Sequence, residues 1–229
     1  MITITAMKWA PPFAAGQVRD HRARWILNEV SWPYTVRLID ACDLASDEYR
    51  QKQPFGQVPY MEEGGRPTLF ESGAIVIDVA IRAGKLIPPE GTDRSMVISW
   101  VIAALNSIEP FLMNVAEVEY FMHDAGQQEA RRPAVVAAAE QRLSQLETAL
   151  GDCQWLVGDA FTIADLMMAS VLKIARRLNL LDTHPLLISY QDRCLDRPAY
   201  RKAVSDQRAV IERHEMADMR FDKVEKADA

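Results

Sequence analysis

What this 229-residue chain has little of narrows its function before any motif is read. It has three cysteines, Cys42, Cys153 and Cys194, an odd number with no CxxC pair, so neither a disulfide framework nor a cysteine zinc site is indicated. His21, His123 and His184 do not fall at metal-ligand spacing with acidic neighbours on one helix face, so no metal is expected. Positive charge is short, 26 Lys plus Arg against 32 Asp plus Glu, and a net charge of -6 gives no basic field for nucleic acid or anionic lipid. No charge-free apolar run approaches the roughly 20 residues of a membrane span. Met1 to Ala6 lacks the basic-then-apolar layout of a signal peptide, and a soluble, cytoplasmic protein is expected. No internal repeat is visible.

Apolar residues make up 49% of the chain, enough for a real core in one large domain or two small ones. The first third alternates short strand and helix patterns. Ile2, Ile4, Met7 and Trp9 open a β-rich stretch, Ala10 to Gly16 is a breaker-rich loop, and Val18 to Val30 has the spacing of a helix. Tyr34 to Ile39 reads as a second strand and Ser46 to Lys52 as a short helix. Val58 to Met61 and Pro67 to Phe70 read as an antiparallel hairpin about Glu63-Gly64-Gly65. Ser72 to Ala83 is an apolar helix that Gly84 should stop. After Pro88-Pro89-Glu90-Gly91 the texture becomes helical only. Met96 to Val115 forms a long one-faced helix that Pro110 should kink, followed by Val135 to Leu150, Ile163 to Leu178 and shorter helices after Pro185 and Pro198. The expected division is residues 1–84, a linker at 85–92, and 93–229, with a charged tail from about residue 215 that frays.

Three motifs carry chemistry. Gln57-Val58-Pro59 stands just before a strand, where proline removes a ladder donor. A trans bond simply opens the strand, whereas a cis bond turns the Val58 main chain outward for an extended peptide to pair with. Glu71-Ser72 opens the third helix, so free N–H groups and a hydroxyl can meet a carboxylate while Glu71 meets an ammonium; a plain serine cap is the bland alternative. Thr162 and Asp165 have the spacing of a capping box, with Phe161 set to staple onto Leu166, a structural role.

Together, in this order and at these distances, these motifs resemble the soluble, bacterial-like glutathione transferases over nearly the whole chain. The resemblance implies an α/β thioredoxin-like N-terminal domain plus an all-α helical-bundle C-terminal domain. It implies that Pro59 is cis, that Val58 pairs through its main chain with the cysteinyl part of glutathione, that Glu71 and Ser72 hold the γ-glutamyl head, and that Gln57 lies near the glycyl end. It also implies a homodimer, and glutathione reacting with a small apolar electrophile.

The chain departs from the family where the thiol should be activated. Members of this family offer a Tyr, Ser or Cys near the start of the first helix, and Ala10 to Val30 contains none of these. Counting back from Arg24-Trp25-Ile26-Leu27-Asn28-Glu29 puts that position near Gln17, with Val18 and Arg19 adjacent. Free N–H groups around Gly16 and Gln17, or the Arg19 charge, can still lower the pKa of a thiol from about 8.5. Gln17 and Arg19 are therefore the catalytic candidates, and Phe13, Asn106, Glu109 and Met113 the candidates for the second-substrate pocket. A non-catalytic glutathione-binding module and a glutathione-dependent disulfide or peroxide reductase or isomerase are the alternatives.

Overall fold

The computed structural model describes residues 1–216. The expected fraying of the tail concerns residues that, from 217 onward, lie outside the described residues. The chain divides into two compact units, residues 1–76 with 198–229, and residues 77–197.

In the first unit the strand β1 (Ile2–Met7) is central, with Ile2, Ile4 and Ala6 buried. The helix α1 (Asp20–Val30) carries the chain to β2 (Tyr34–Ile39), which lies parallel to β1. Ser31 ends α1 in the left-handed region at φ 61, its N–H returning to the Asn28 carbonyl, and Pro33 follows. The short helix expected at Ser46 to Lys52 is α3 (Asp47–Arg50), and a further short helix that the sequence pattern did not show, α2 (Ala41–Ala45), precedes it. Asp40 and Asp43 form a capping box at the head of α2, and Ser46 caps α3. The hairpin is shifted from the expected bounds: β3 (Tyr60–Glu63) starts two residues later, and β4 (Leu69–Phe70) is shorter. Pro59 and Pro67 have no N–H to give the ladder, so each strand starts after its proline. The sheet order is β2-β1-β3-β4, with β3 antiparallel to both neighbours. The helix α4 (Ser72–Ala83) follows, and Gly84 ends it at φ 61.

The helix α10 (Pro198–Glu212) belongs to the sheet unit rather than to the helical one, which departs from the boundaries read in the sequence. It packs on α1: the Trp25 and Tyr200 rings lie 4.7 Å apart, and the Asn28 side-chain amide donates to the Ala199 carbonyl at 3.2 Å. These contacts join residues far apart in the chain, so no local pattern reveals them.

The second unit is helical. The long helix expected from Met96 to Val115 runs further, from Thr92 to Tyr120, and a π turn (Ala104–Ile108) divides it into α5 (Thr92–Ala103) and α6 (Glu109–Tyr120). Pro110 sits in the first turn of α6, where its missing N–H is tolerated, and the ladder is disturbed one turn earlier. The stretch Thr92–Tyr120 is long and apolar enough to cross a membrane. Its apolar residues are divided between faces, however, with Val97, Val101, Ala104, Ile108, Leu112 and Val115 buried against neighbouring helices and Met96, Ile102 and Met113 exposed. That is the pattern of a one-sided core helix.

The helix α7 (Ala125–Leu150) begins ten residues before the expected Val135, capped by Asp124, whose side chain accepts from the Gln127 N–H. Pro133 lies inside it, which is why the sequence pattern seems to start only afterwards. The helix α8 (Ile163–Arg177) starts at the expected capping box, and α9 (Pro185–Leu195) follows. His184, at the head of α9, is buried and touches two α7 carboxylates, Glu147 Oε2 from Nδ1 at 2.9 Å and Glu140 Oε2 from Nε2 at 3.1 Å. Burial lowers the His184 pKa, but bonds to these two carboxylates outweigh it and the net shift is upward.

Candidate functional site

The site is built from one end of the sheet. Gln53 is buried, and its Oε1 accepts from the N–H of Phe55 at 2.8 Å and of Gln57 at 3.1 Å, which shapes the turn before β3. On the other side of Gln57, the Tyr49 hydroxyl donates to its carbonyl at 2.7 Å. Burial holds the Tyr49 phenol up at about 12, so it keeps that proton. The Thr5 hydroxyl, 3.3 Å from the Tyr49 oxygen, then donates to it, while Thr5 Oγ1 accepts from the Tyr60 N–H at 2.8 Å. This relay uses both main-chain groups of Gln57. The next residue, Val58, has no main-chain hydrogen bond to another described residue, and the Val58–Pro59 bond is cis. Gln57 itself is exposed, Val58 is half-buried against Tyr49 and Tyr60, and Pro59 is buried.

The ladder ends at the Tyr60–Phe70 pair, so Val58-Pro59, which lead into Tyr60, and Glu71-Ser72, which follow Phe70, lie at the same end of the sheet. Glu71 lies in the left-handed region at φ 69, an uncommon setting for a residue with a Cβ, and its carboxylate is exposed. Ser72 is buried, and its Oγ accepts from Arg22 Nη1 at 3.3 Å. The structure therefore gathers Gln57, Val58, Pro59, Glu71 and Ser72 at one sheet end and ties them to α1 through Arg22. Sequence reading missed Thr5, Tyr49, Gln53 and Arg22, since each acts over a fold contact and none carries a motif.

The turn before α1 is closed by its own hydrogen bonds. Gln17, half-buried, gives its N–H to the Ala14 carbonyl at 2.8 Å. This corrects the expectation of a free Gln17 N–H, because the turn consumes it. The Val18 N–H, one residue further on, has no main-chain acceptor among the described residues. The Val18 carbonyl is anchored by the His21 N–H, by His21 Nδ1 at 2.9 Å and by the Gln207 side chain from α10 at 2.8 Å. Gln207 also donates to Asp20, which is fully buried at the start of α1 and paired with Arg24 at 2.7 Å. Burial raises the Asp20 pKa, and Arg24 and Gln207 oppose the shift. Arg19 is half-buried in the same turn.

Of the residues expected near a second substrate, Phe13 is half-buried in the turn of the first unit. In the second unit Asn106 and Met113 are exposed and Glu109 is buried. At the head of α8 the Thr162 side chain accepts from the Ala164 N–H, and Asp165 accepts from the Thr162 N–H at 2.8 Å. Phe161 lies edge-on to Trp155, 5.4 Å between centroids. Among the described residues no group of three or more His, Cys, Asp or Glu could hold a metal.

With this geometry in place, the likeness to known proteins is direct. Residues 13–77 match the glutathione S-transferase N-terminal domain and residues 108–198 the C-terminal domain. Glutathione S-transferase GstA of Escherichia coli O157:H7 is 30% identical over 166 residues, covering 69% of this chain and 78% of that protein. The disulfide-bond oxidoreductase YfcG of Escherichia coli K12 is 26% identical over 194 residues, 80% of this chain and 89% of that one. A glutathione transferase family member from Pseudomonas fluorescens Pf-5, whose crystal structure holds two glutathione, superposes with a TM-score of 0.77 at 23% identity, over 89% of this chain and 92% of that one. The chain belongs to the glutathione S-transferase family. Its fold is a thioredoxin-like α/β N-terminal domain followed by an all-α domain.

Proposed function

We propose that this protein binds glutathione and conjugates it, through its thiolate sulfur, to a small apolar electrophile. The observation that carries the reading is the pairing of an unused Val58 main chain with Glu71 and Ser72 at the same sheet end. An extended cysteinyl residue satisfies both Val58 groups as an added strand residue. The γ-glutamyl carboxylate then meets the Ser72 hydroxyl and the N–H groups at the head of α4, and its ammonium meets the Glu71 carboxylate. Gln57 lies one residue before Val58, toward the glycyl end.

The sulfur faces the turn before α1, where the Val18 N–H and the Arg19 charge favour the thiolate in place of the usual hydroxyl. The thiolate forms a bond to the electrophilic carbon as the leaving group departs with the bonding pair. Phe13 lies in this turn and is our candidate for contact with the electrophile; Asn106, Glu109 and Met113 are further candidates. The family resemblance adds a cytoplasmic homodimer to the proposal, with exposed Phe55 available for contact with a second copy; a monomeric mass by light scattering at micromolar concentration would count against it.

Disulfide reduction is the second reading, favoured by the relative YfcG and by the absence of Ser, Thr, Tyr or Cys between Ala10 and Val30. In that case the thiolate attacks a disulfide sulfur and expels the other as thiolate. Immobilised glutathione should retain the protein and Ser72→Ala should weaken retention; wild-type flow-through at low salt would remove the proposal. Turnover on aryl halides against turnover on disulfides or peroxides separates the two chemistries. Calorimetric glutathione binding with no turnover on any of them would instead indicate a non-catalytic binding module.

A further inference from the structure

We infer that Arg22 is a positioning residue that makes the Ser72 site selective for a carboxylate, an inference that rests on the glutathione reading above. Arg22 is 2% exposed and Ser72 4% exposed, and the guanidinium Nη1 stands 3.3 Å from the Ser72 oxygen. A serine hydroxyl has one proton and two lone pairs, while arginine only donates. With one lone pair taken by Arg22, the Ser72 proton turns away from the guanidinium and toward an incoming acceptor. The same contact places a permanent positive charge one atom behind the hydroxyl, where it strengthens a bond to an anion and repels an ammonium. Glu71, adjacent and exposed, supplies the opposite preference. The two neighbouring positions thus read the two charges of an α-amino acid head in a fixed order. The ordering depends on α1, because Arg22 reaches Ser72 across 50 residues of chain.

The test compares glutathione with γ-aminobutyryl-cysteinyl-glycine, which lacks only the head carboxylate, by calorimetry on wild type, R22M and R22K. Wild type should prefer glutathione, and R22M should lose roughly tenfold or more of that preference, the scale of one charge-assisted hydrogen bond. Affinity for the decarboxylated peptide should be little changed. R22K, which keeps charge but not the guanidinium geometry, should retain an intermediate preference, and it decides the matter should R22M not fold. Equal loss for both peptides in either folded variant, or an unaltered preference, overturns the role of Arg22. Wild-type protein that binds neither peptide overturns the glutathione reading itself.

Discussion

Two buried aspartates begin helices in the two units, and they are satisfied in different ways. Asp165, at the start of α8, accepts from the Leu156 N–H at 2.9 Å, the Thr162 N–H at 2.8 Å, the Thr162 hydroxyl at 3.1 Å and the Tyr190 hydroxyl at 3.0 Å. Asp20, at the start of α1, depends on Arg24 one turn later and on Gln207 from the far end of the chain. Among the described residues this second network leaves Arg24 Nη2 and Gln207 Oε1 buried without partners. A buried polar atom left unpaired costs on the order of 1–3 kcal/mol. The complete network sits in a helical core and the incomplete one under the turn proposed to face a thiolate. Consistency yields first where function competes with stability.

The sharpest way to break this comparison is to remove the complete network. Asp165→Ala strands two N–H groups and the Tyr190 hydroxyl in a core where Tyr190 is fully buried. We expect a loss of about 3–5 kcal/mol in urea unfolding, as for a broken buried charged network. A loss under about 1 kcal/mol would mean that the capping box is dispensable.

Gln207→Ala is the counterpart in the first unit and should cost less, about 1–2 kcal/mol, since Arg24 still holds Asp20. Its distinguishing effect is on chemistry. Losing the brace on the Val18 carbonyl should lower kcat for thiol transfer several-fold while leaving glutathione affinity nearly unchanged. Equal changes in both constants would place α10 in general stability rather than in the turn.

The same contrast explains what was legible in the sequence. The Thr162–Asp165 box, the stop at Gly84 and the β2 boundaries were readable because each depends on residues within one turn or on a period-two pattern. Val58, Glu71 and Ser72 were readable as a candidate site because their spacing is kept by a tight hairpin. The Arg22–Ser72 bond, the Thr5–Tyr49–Gln57 relay and the placement of α10 were not, because each closes only after distant segments meet. The Gln17 N–H was assigned wrongly for a local reason: the tight turn after Pro11 absorbs it.

His184 sharpens the comparison inside the helical unit, as a long-range network that is satisfied only while charged. Its pKa is raised, so its stabilisation is fully present below the ordinary imidazole range and is lost as pH rises through the folded value. Protonated, it donates from both nitrogens to Glu147 and Glu140. Wild-type Tm should therefore fall between about pH 6 and 8 relative to His184→Gln, with a difference of roughly 1 kcal/mol at the acid end, the scale of a partly exposed ion pair. Parallel Tm curves for the two proteins over this range would sink the assignment.

Glu71 gives the smallest expected effect and bears most directly on why the first unit tolerates imperfect local structure. A side chain held at φ 69 is disfavoured by about 1 kcal/mol relative to glycine, which adopts that region freely. Glycine in turn loses more backbone entropy on folding, so Glu71→Gly should stabilise the protein by only about 0.5 kcal/mol. Glutathione retention should nonetheless weaken, because the carboxylate that meets the γ-glutamyl ammonium is gone. Glu71→Ala separates the two effects, as it removes the carboxylate but keeps the strain, and it should weaken retention without the gain in stability. If Glu71→Gly gained stability and kept full glutathione affinity, the left-handed glutamate would be an accident of the β4–α4 junction. The contrast between the strained site and the satisfied Asp165 network would then rest on Asp20 alone.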